Sequence, residues 1–172
     1  MIRTQQLETV RYGIVAGTAG GLAEIAWVAL YAGATGGDAA VLARGVTSAA
    51  GVSALLPDSP VALCIVVHMA LAVTLGIALA FARRTLCEQR RAPGHAYPFA
   101  ALAGVWAINF FVILPIVSPA FVHMVPYAVS LTSKLLFGVA AAAALQWHTA
   151  PKFETGRPAL AINPIGARRI RL

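Results

Sequence analysis

The sequence predicts an all-α, polytopic membrane protein with four transmembrane helices and one amphipathic interfacial helix between the first and second. Three observations predict it. Of 172 residues, 59% are hydrophobic and only 11% charged. A soluble domain carries roughly 25% charged residues, so this chain has too little polar surface to coat a globule in water. Four apolar runs each approach or exceed the ~20 residues that carry a helix across the hydrocarbon core. Basic residues gather in alternate connections, as the positive-inside rule requires of a multi-pass chain.

The first run covers residues 12–34. It is longer than the apolar region of a cleaved signal peptide, and it contains Glu24. Gly13, Gly17 and Gly21 recur every fourth residue. In lipid such a stripe lets a neighbouring helix come close. No strand precedes these glycines, so they predict packing and not a nucleotide loop.

Residues 38–56 are less apolar. Leu42, Val46, Ala49, Val52 and Leu56 fall on one helical face, with Arg44, Thr47, Ser48 and Gly51 on the other. This pattern predicts a helix lying in the membrane interface, with a re-entrant segment as the alternative. The second span covers 61–82. Asp58 and Ser59 precede it as capping residues, Pro60 suits its first turn, and Arg83 and Arg84 follow its end. The third span covers 97–116. The fourth covers 119–147, capped by Ser118 and open to bending at Pro126. Only a few residues join these two, which predicts a tight antiparallel hairpin. Trp27, Tyr31, Tyr97, Tyr127 and Trp147 lie toward the ends of the runs, where aromatic rings favour the headgroup level.

The domain plan is therefore a cytoplasmic N-terminus (1–11), a transmembrane domain (12–148) and a basic cytoplasmic tail (149–172). Arg3 and Arg11, then Arg83, Arg84, Arg90 and Arg91, then Lys152, Arg157, Arg168, Arg169 and Arg171 make up 11 of the 13 basic residues. The first connection holds only Arg44 and the third holds none. Both termini are thus expected in the cytoplasm. The Pro-containing tail ends in Arg168, Arg169, Ile170, Arg171 and Leu172, and its arginines suit anionic lipid or a partner subunit.

The net charge of +7 does not signal nucleic-acid binding, because the basic residues sit in short connections without an accompanying motif. Cys64 and Cys87 lack CxxC spacing, which argues against a structural disulfide or a zinc site. G-x-S-x-G, H-E-x-x-H and paired carboxylates at helical spacing are all missing, so no enzymatic activity is expected.

Polar residues inside a membrane are costly and mark candidate sites. Each span has one: Glu24, His68, Asn109 and Lys134. Counted from the cytoplasmic ends at 1.5 Å per residue, all four lie roughly 18–21 Å above the inner boundary. Glu24 and Lys134 are expected to pair, since neither remains charged alone in apolar surroundings. His68 and Asn109 would supply further hydrogen bonds. Such a cluster suits a structural pair, a proton or ion relay, or a polar contact to a quinone, a haem or a partner subunit. No resident cofactor or metal is expected. Two histidines of one chain are not placed for one haem, because His123 lies about 16 Å further out than His68. A single-His haem or quinone contact completed by another chain remains open.

The stretch Trp106-Ala-Ile-Asn-Phe-Phe-Val-Ile-Leu-Pro115, then Pro119-Ala-Phe-Val122, Ser133-Lys-Leu-Leu-Phe-Gly138 and Gly20-Gly-Leu-Ala-Glu24, resembles small bacterial four-helix inner-membrane proteins of unassigned function. The resemblance covers the spans but not the tail, and it implies a bacterial inner-membrane location but no activity. The expected role is a small accessory subunit or assembly factor of a larger membrane complex, with a respiratory or redox complex as the first candidate. Its expected partners are the lipid bilayer and other membrane subunits or a second copy of itself. The alternative is a small proton- or ion-coupled transporter or channel using Glu24, His68 and Lys134.

Overall fold

The structure, a computed structural model, describes residues 2–88 and 97–149. Arg90, Arg91 and His95, and the tail with Arg168, Arg169 and Arg171, lie outside the described residues. Every regular element among the described residues is helical: α1 (Ile2–Thr35), α2 (Ala39–Ala49), α3 (Pro60–Glu88), α4 (Tyr97–Ile108), a π-helical turn (Asn109–Ile113), α5 (Leu114–Val117), α6 (Pro119–Met124) and α7 (Tyr127–Thr149). Four stretches are long and apolar enough to cross a membrane: Thr4–Thr35, Pro60–Leu86, Phe99–Val117 and Tyr127–Gln146. The protein is a multi-pass helical membrane protein.

Burial runs opposite to that of a soluble protein. Large apolar side chains such as Leu22, Leu30, Val66, Leu71 and Ile116 point outward, with Ile116 79% exposed. Among the most completely buried side chains are Glu24 and Thr47. Lipid is the solvent in which that arrangement costs least.

The bundle is built around α1, which packs against α3 on one side and α7 on the other; α4 packs against α7. Phe137 of α7, Leu102 of α4 and Ala72 of α3 meet as the apolar core. Glycine makes the close approaches possible. A Cβ on Gly13 would stand 2.5 Å from the Ile77 Cα, and one on Gly17 would stand 2.6 Å from the Ala72 carbonyl oxygen. Gly21 sits against Ala72 and Met69, and Gly76 of α3 sits directly against Gly13 and Gly17. The predicted stripe thus faces α3, with Gly76 as its counterpart. Gly20 turns the other way and leaves room for the Phe137 ring, while Gly138 leaves room for Leu102.

The structure departs from the sequence expectations in four places, three of them element boundaries. First, α1 begins at Ile2 and runs through residues expected as a separate N-terminus. Gln5, Gln6, Leu7 and Glu8 are good helix formers, and no Gly or Pro interrupts them before Gly13. Second, α2 stops at Ala49, short of residue 56. Gly51 takes φ +70°, the Val52 N–H reaches the Thr47 carbonyl at 3.0 Å, and the Gly51 N–H reaches that of Ser48 at 3.0 Å, which closes a Schellman motif. Third, Thr47, expected on the polar face, is 1% exposed. Its hydroxyl donates back to the Ala43 carbonyl at 3.0 Å, so it needs no water. The second helix packs on α3 and α6, and Gly45 admits Phe121 and Met124. Fourth, the segment expected as one span over 119–147 is divided. Val125 is extended (φ −120°, ψ 120°) and separates α6 from α7. Pro126 disfavours a helical conformation at the residue before it and removes an N–H from the ladder.

The third span also carries an irregularity. The Leu114 N–H donates to the carbonyl of Asn109, five residues back. Pro115 follows at once, and a widened turn is one way a helix accommodates the missing donor and the ring.

Gly17→Ala is expected to lose about 1–3 kcal/mol by forcing α1 away from the α3 backbone. Gly33→Ala meets nothing within 4 Å, so it should be neutral or stabilising by up to about 1 kcal/mol through helix propensity. Reversible unfolding in mixed micelles would compare them; equal losses would refute the close-approach account.

Candidate functional site: a buried carboxylate between three helices

Glu24 lies one helical turn beyond Gly20 and Gly21 on α1. Gly21 faces α3 and Gly20 faces α7. Residues three and four apart share a helix face, so Glu24 projects into the seam between those two helices. It is 1% exposed.

The two carboxylate oxygens serve different helices. Oε1 takes both contacts from α7: Lys134 Nζ lies 2.6 Å away, and the Ser133 hydroxyl donates at 3.2 Å. Oε2 faces α3, where His68 Nε2 stands 3.4 Å away. That nitrogen is buried and makes no hydrogen bond, since its approach to the carboxylate is out of line. The Lys134 side chain is 22% exposed and that of His68 27%. The Lys134 ammonium also lies 5.9 Å from the centroid of the Phe137 ring, a cation–π contact one turn along its own helix.

A short charge-assisted contact with a second donor on the same oxygen satisfies a carboxylate buried away from water. The site is therefore a three-helix junction held by one acid. It lies nearer the end that carries α2 and α6. Lys134 is 7 residues from Tyr127 and His68 is 8 from Pro60, or about 11–12 Å at 1.5 Å per residue.

No family model, curated protein or solved structure matches this chain. Its site is accordingly read from its own residues.

Of the four residues at the predicted level, Glu24, His68 and Lys134 meet. Asn109 is half-buried at the start of the π-helical turn, and among the described residues no hydrogen bond or ion pair joins its side chain to the others. Its helix packs against α7, whereas Glu24 projects between α1, α3 and α7. Ser133 supplies the further hydrogen bond that Asn109 was expected to give. A hydroxyl beside Lys134 was visible in the sequence, but two adjacent helical residues do not ordinarily face one partner.

Trp27, expected at the headgroup level, reinforces the same seam. Its indole N–H donates to the Val129 carbonyl on α7 at 3.0 Å, three residues along from Glu24. Trp106 of α4 donates to the Ser130 hydroxyl at 3.0 Å, and its ring joins Phe110, Phe111 and Tyr127 in an aromatic cluster. Among the described residues no group of three His, Cys, Asp or Glu side chains is placed to hold a metal ion. Ligation of an iron through His68 Nε2 would first require that nitrogen to leave Glu24.

Lys134→Met leaves the buried carboxylate uncompensated and is expected to cost about 3–5 kcal/mol. Adding Glu24→Gln to Lys134→Met should recover part of that loss, with a coupling of about 1–3 kcal/mol in a double-mutant cycle. Strictly additive losses would mean that the pair does not form.

Proposed function

We propose that the protein is a small accessory subunit or assembly factor of a larger complex in the bacterial inner membrane, with both termini in the cytoplasm. The observation that carries this reading is the internal satisfaction of Glu24. This intramembrane acid is taken up by Lys134 and Ser133 of its own chain, so it ties α1 to α7 and does not stand open as a substrate-binding group. A bundle braced in this way serves as a scaffold on which other membrane helices assemble.

Two further features support it. The described part of the chain is almost wholly spans and short connections, with α2 and α6 as its elements outside the four spans. The basic N-terminal segment, second connection and tail fit a cytoplasmic face that meets anionic lipid or a partner subunit. A respiratory or other redox complex is the partner class we favour.

One observation favours a second reading, a small proton- or ion-coupled transporter. His68 presents a buried, unbonded nitrogen to Glu24 while part of its side chain remains exposed. A lone homodimer would then be the working unit.

Purification in mild detergent, followed by mass spectrometry, separates the two. The subunit reading expects stoichiometric membrane partners. A pure homodimer that supports liposome ion flux, with the flux lost in Glu24→Gln, would replace it with the transport reading.

A further inference from the structure

We infer that the hollow between the start of α1 and the end of α3 is a lipid site, which takes a phospholipid headgroup carrying both a phosphate and a primary ammonium. This inference rests on the multi-pass fold and not on the subunit reading. It concerns a place well away from the three-helix junction, since Glu24 lies 12 residues beyond Tyr12, or about 18 Å along α1.

The hollow continues the glycine seam. Gly13, Gly17 and Gly21 hold α1 against α3, and Gly13 meets Ile77. Both helices run on past that contact, α1 back to Ile2 and α3 on to Glu88. Thr9 and Gln5 extend the glycine row of α1 at the same four-residue spacing, and Arg84 lies two turns beyond Ile77 on its row of α3. Larger side chains now stand where the glycines stood. Between the helices is an open hollow of about 260 Å³, lined by Gln5, Glu8, Thr9, Tyr12 and Arg84. At ~30 Å³ per water-sized group it holds roughly nine of them, enough for a phosphate with a short amine arm.

Its level is that of a headgroup. Tyr12 opens the first apolar run, and Arg84 stands two residues past the end of the second at 82. Phe81, one turn nearer the membrane than Arg84 on the same helix, is 37% exposed. A molecule in the hollow thus has polar groups around it and apolar surface next to it. A phospholipid is divided in the same way, and a soluble phosphate is not.

The lining supplies one cation and one anion. Arg84 is half-buried, and its Nη2 donates to Gln5 Oε1 at 3.3 Å, which ties the guanidinium to α1. A guanidinium has five N–H donors in a fork that suits phosphate oxygens. The Tyr12 hydroxyl and the Gln5 amide nitrogen are further donors in the lining. The Thr9 hydroxyl is engaged with the Gln5 carbonyl at 2.9 Å and shapes the wall. Glu8 sets the selectivity. Its carboxylate repels a headgroup that is only anionic, and it accepts charge-assisted hydrogen bonds from a primary ammonium. A quaternary ammonium has no N–H to offer it. Arg11 and Arg83 are exposed and stand outside the lining.

Native mass spectrometry of the full chain tests this, with phosphatidylethanolamine, phosphatidylglycerol and phosphatidylcholine of identical acyl chains in equimolar competition. Phosphatidylethanolamine is expected to be retained over the other two. Arg84→Gln should weaken its retention about tenfold, the size of losing one charge-assisted contact. Glu8→Gln should remove the preference over phosphatidylglycerol, and Arg83→Gln should change nothing. Equal retention of the three lipids by the unsubstituted protein would overturn the proposal. So would equal losses in Arg83→Gln and Arg84→Gln, the mark of a general attraction to basic surface. Displacement of the lipid by an equal concentration of phosphoethanolamine without acyl chains would overturn a lipid as the occupant. Circular dichroism checks that each variant keeps its helices; if Arg84→Gln does not, the lipid preference of Glu8→Gln decides.

Discussion

A charge with no partner inside a bilayer is costly, and that cost organises this molecule. Glu24 sits where water cannot reach it, and its carboxylate is met by an ammonium and a hydroxyl from α7 and an imidazole from α3. The two oxygens are divided between the two helices, so a relative rotation of either one breaks a contact that nothing in lipid would replace. Apolar packing alone lacks this selectivity, because lipid tails are as apolar as the side chains they would displace. The acid therefore specifies which helix faces meet, and apolar contacts fill the space around it.

Small residues make that geometry attainable. Gly13, Gly17 and Gly76 bring the α1 and α3 backbones together, and Gly20 yields space to Phe137 on the α7 side. Without those approaches the seams on either side of Glu24 would be wider, and a contact of 2.6 Å to Lys134 would be harder to hold. Trp27 adds a hydrogen bond across the same α1–α7 seam. Packing and electrostatics depend on each other here, since the glycines set the distance and the charges set the register.

The two oxygens of the acid are held unequally. Lys134 and Ser133 on Oε1 hold the junction, whereas the contact on Oε2 is longer and out of line. The first pair braces the bundle. The second leaves a hydrogen-bonding group unspent beside an acid, at the less enclosed edge of the site.

Much of this was legible in the residues. Hydropathy located four spans, because lipid demands about 20 apolar residues per crossing whatever surrounds them. Counting from the helix ends put Glu24, His68 and Lys134 at one depth, because rise per residue is a local property of a helix. Depth is only one of two coordinates, however. Which way a side chain points around its helix axis depends on which neighbours pack there, and that is a property of the assembled bundle. Asn109 shared the depth but belongs to a helix that packs against α7 and makes no contact with the acid, whereas Ser133, not expected at the site, lies against it. Thr47 was placed on the polar face by its hydroxyl, yet it is buried, since a bond back to its own helix removes the need for water. The break at Val125 follows from Pro126, but whether a proline bends a helix or divides it depends on what the surrounding helices support. The sequence by itself determined the solvent, the number of crossings and the level of the polar residues, because these follow from local composition and helix rise. Only the tertiary structure decided which of those residues meet, because facing is settled by all the helices at once.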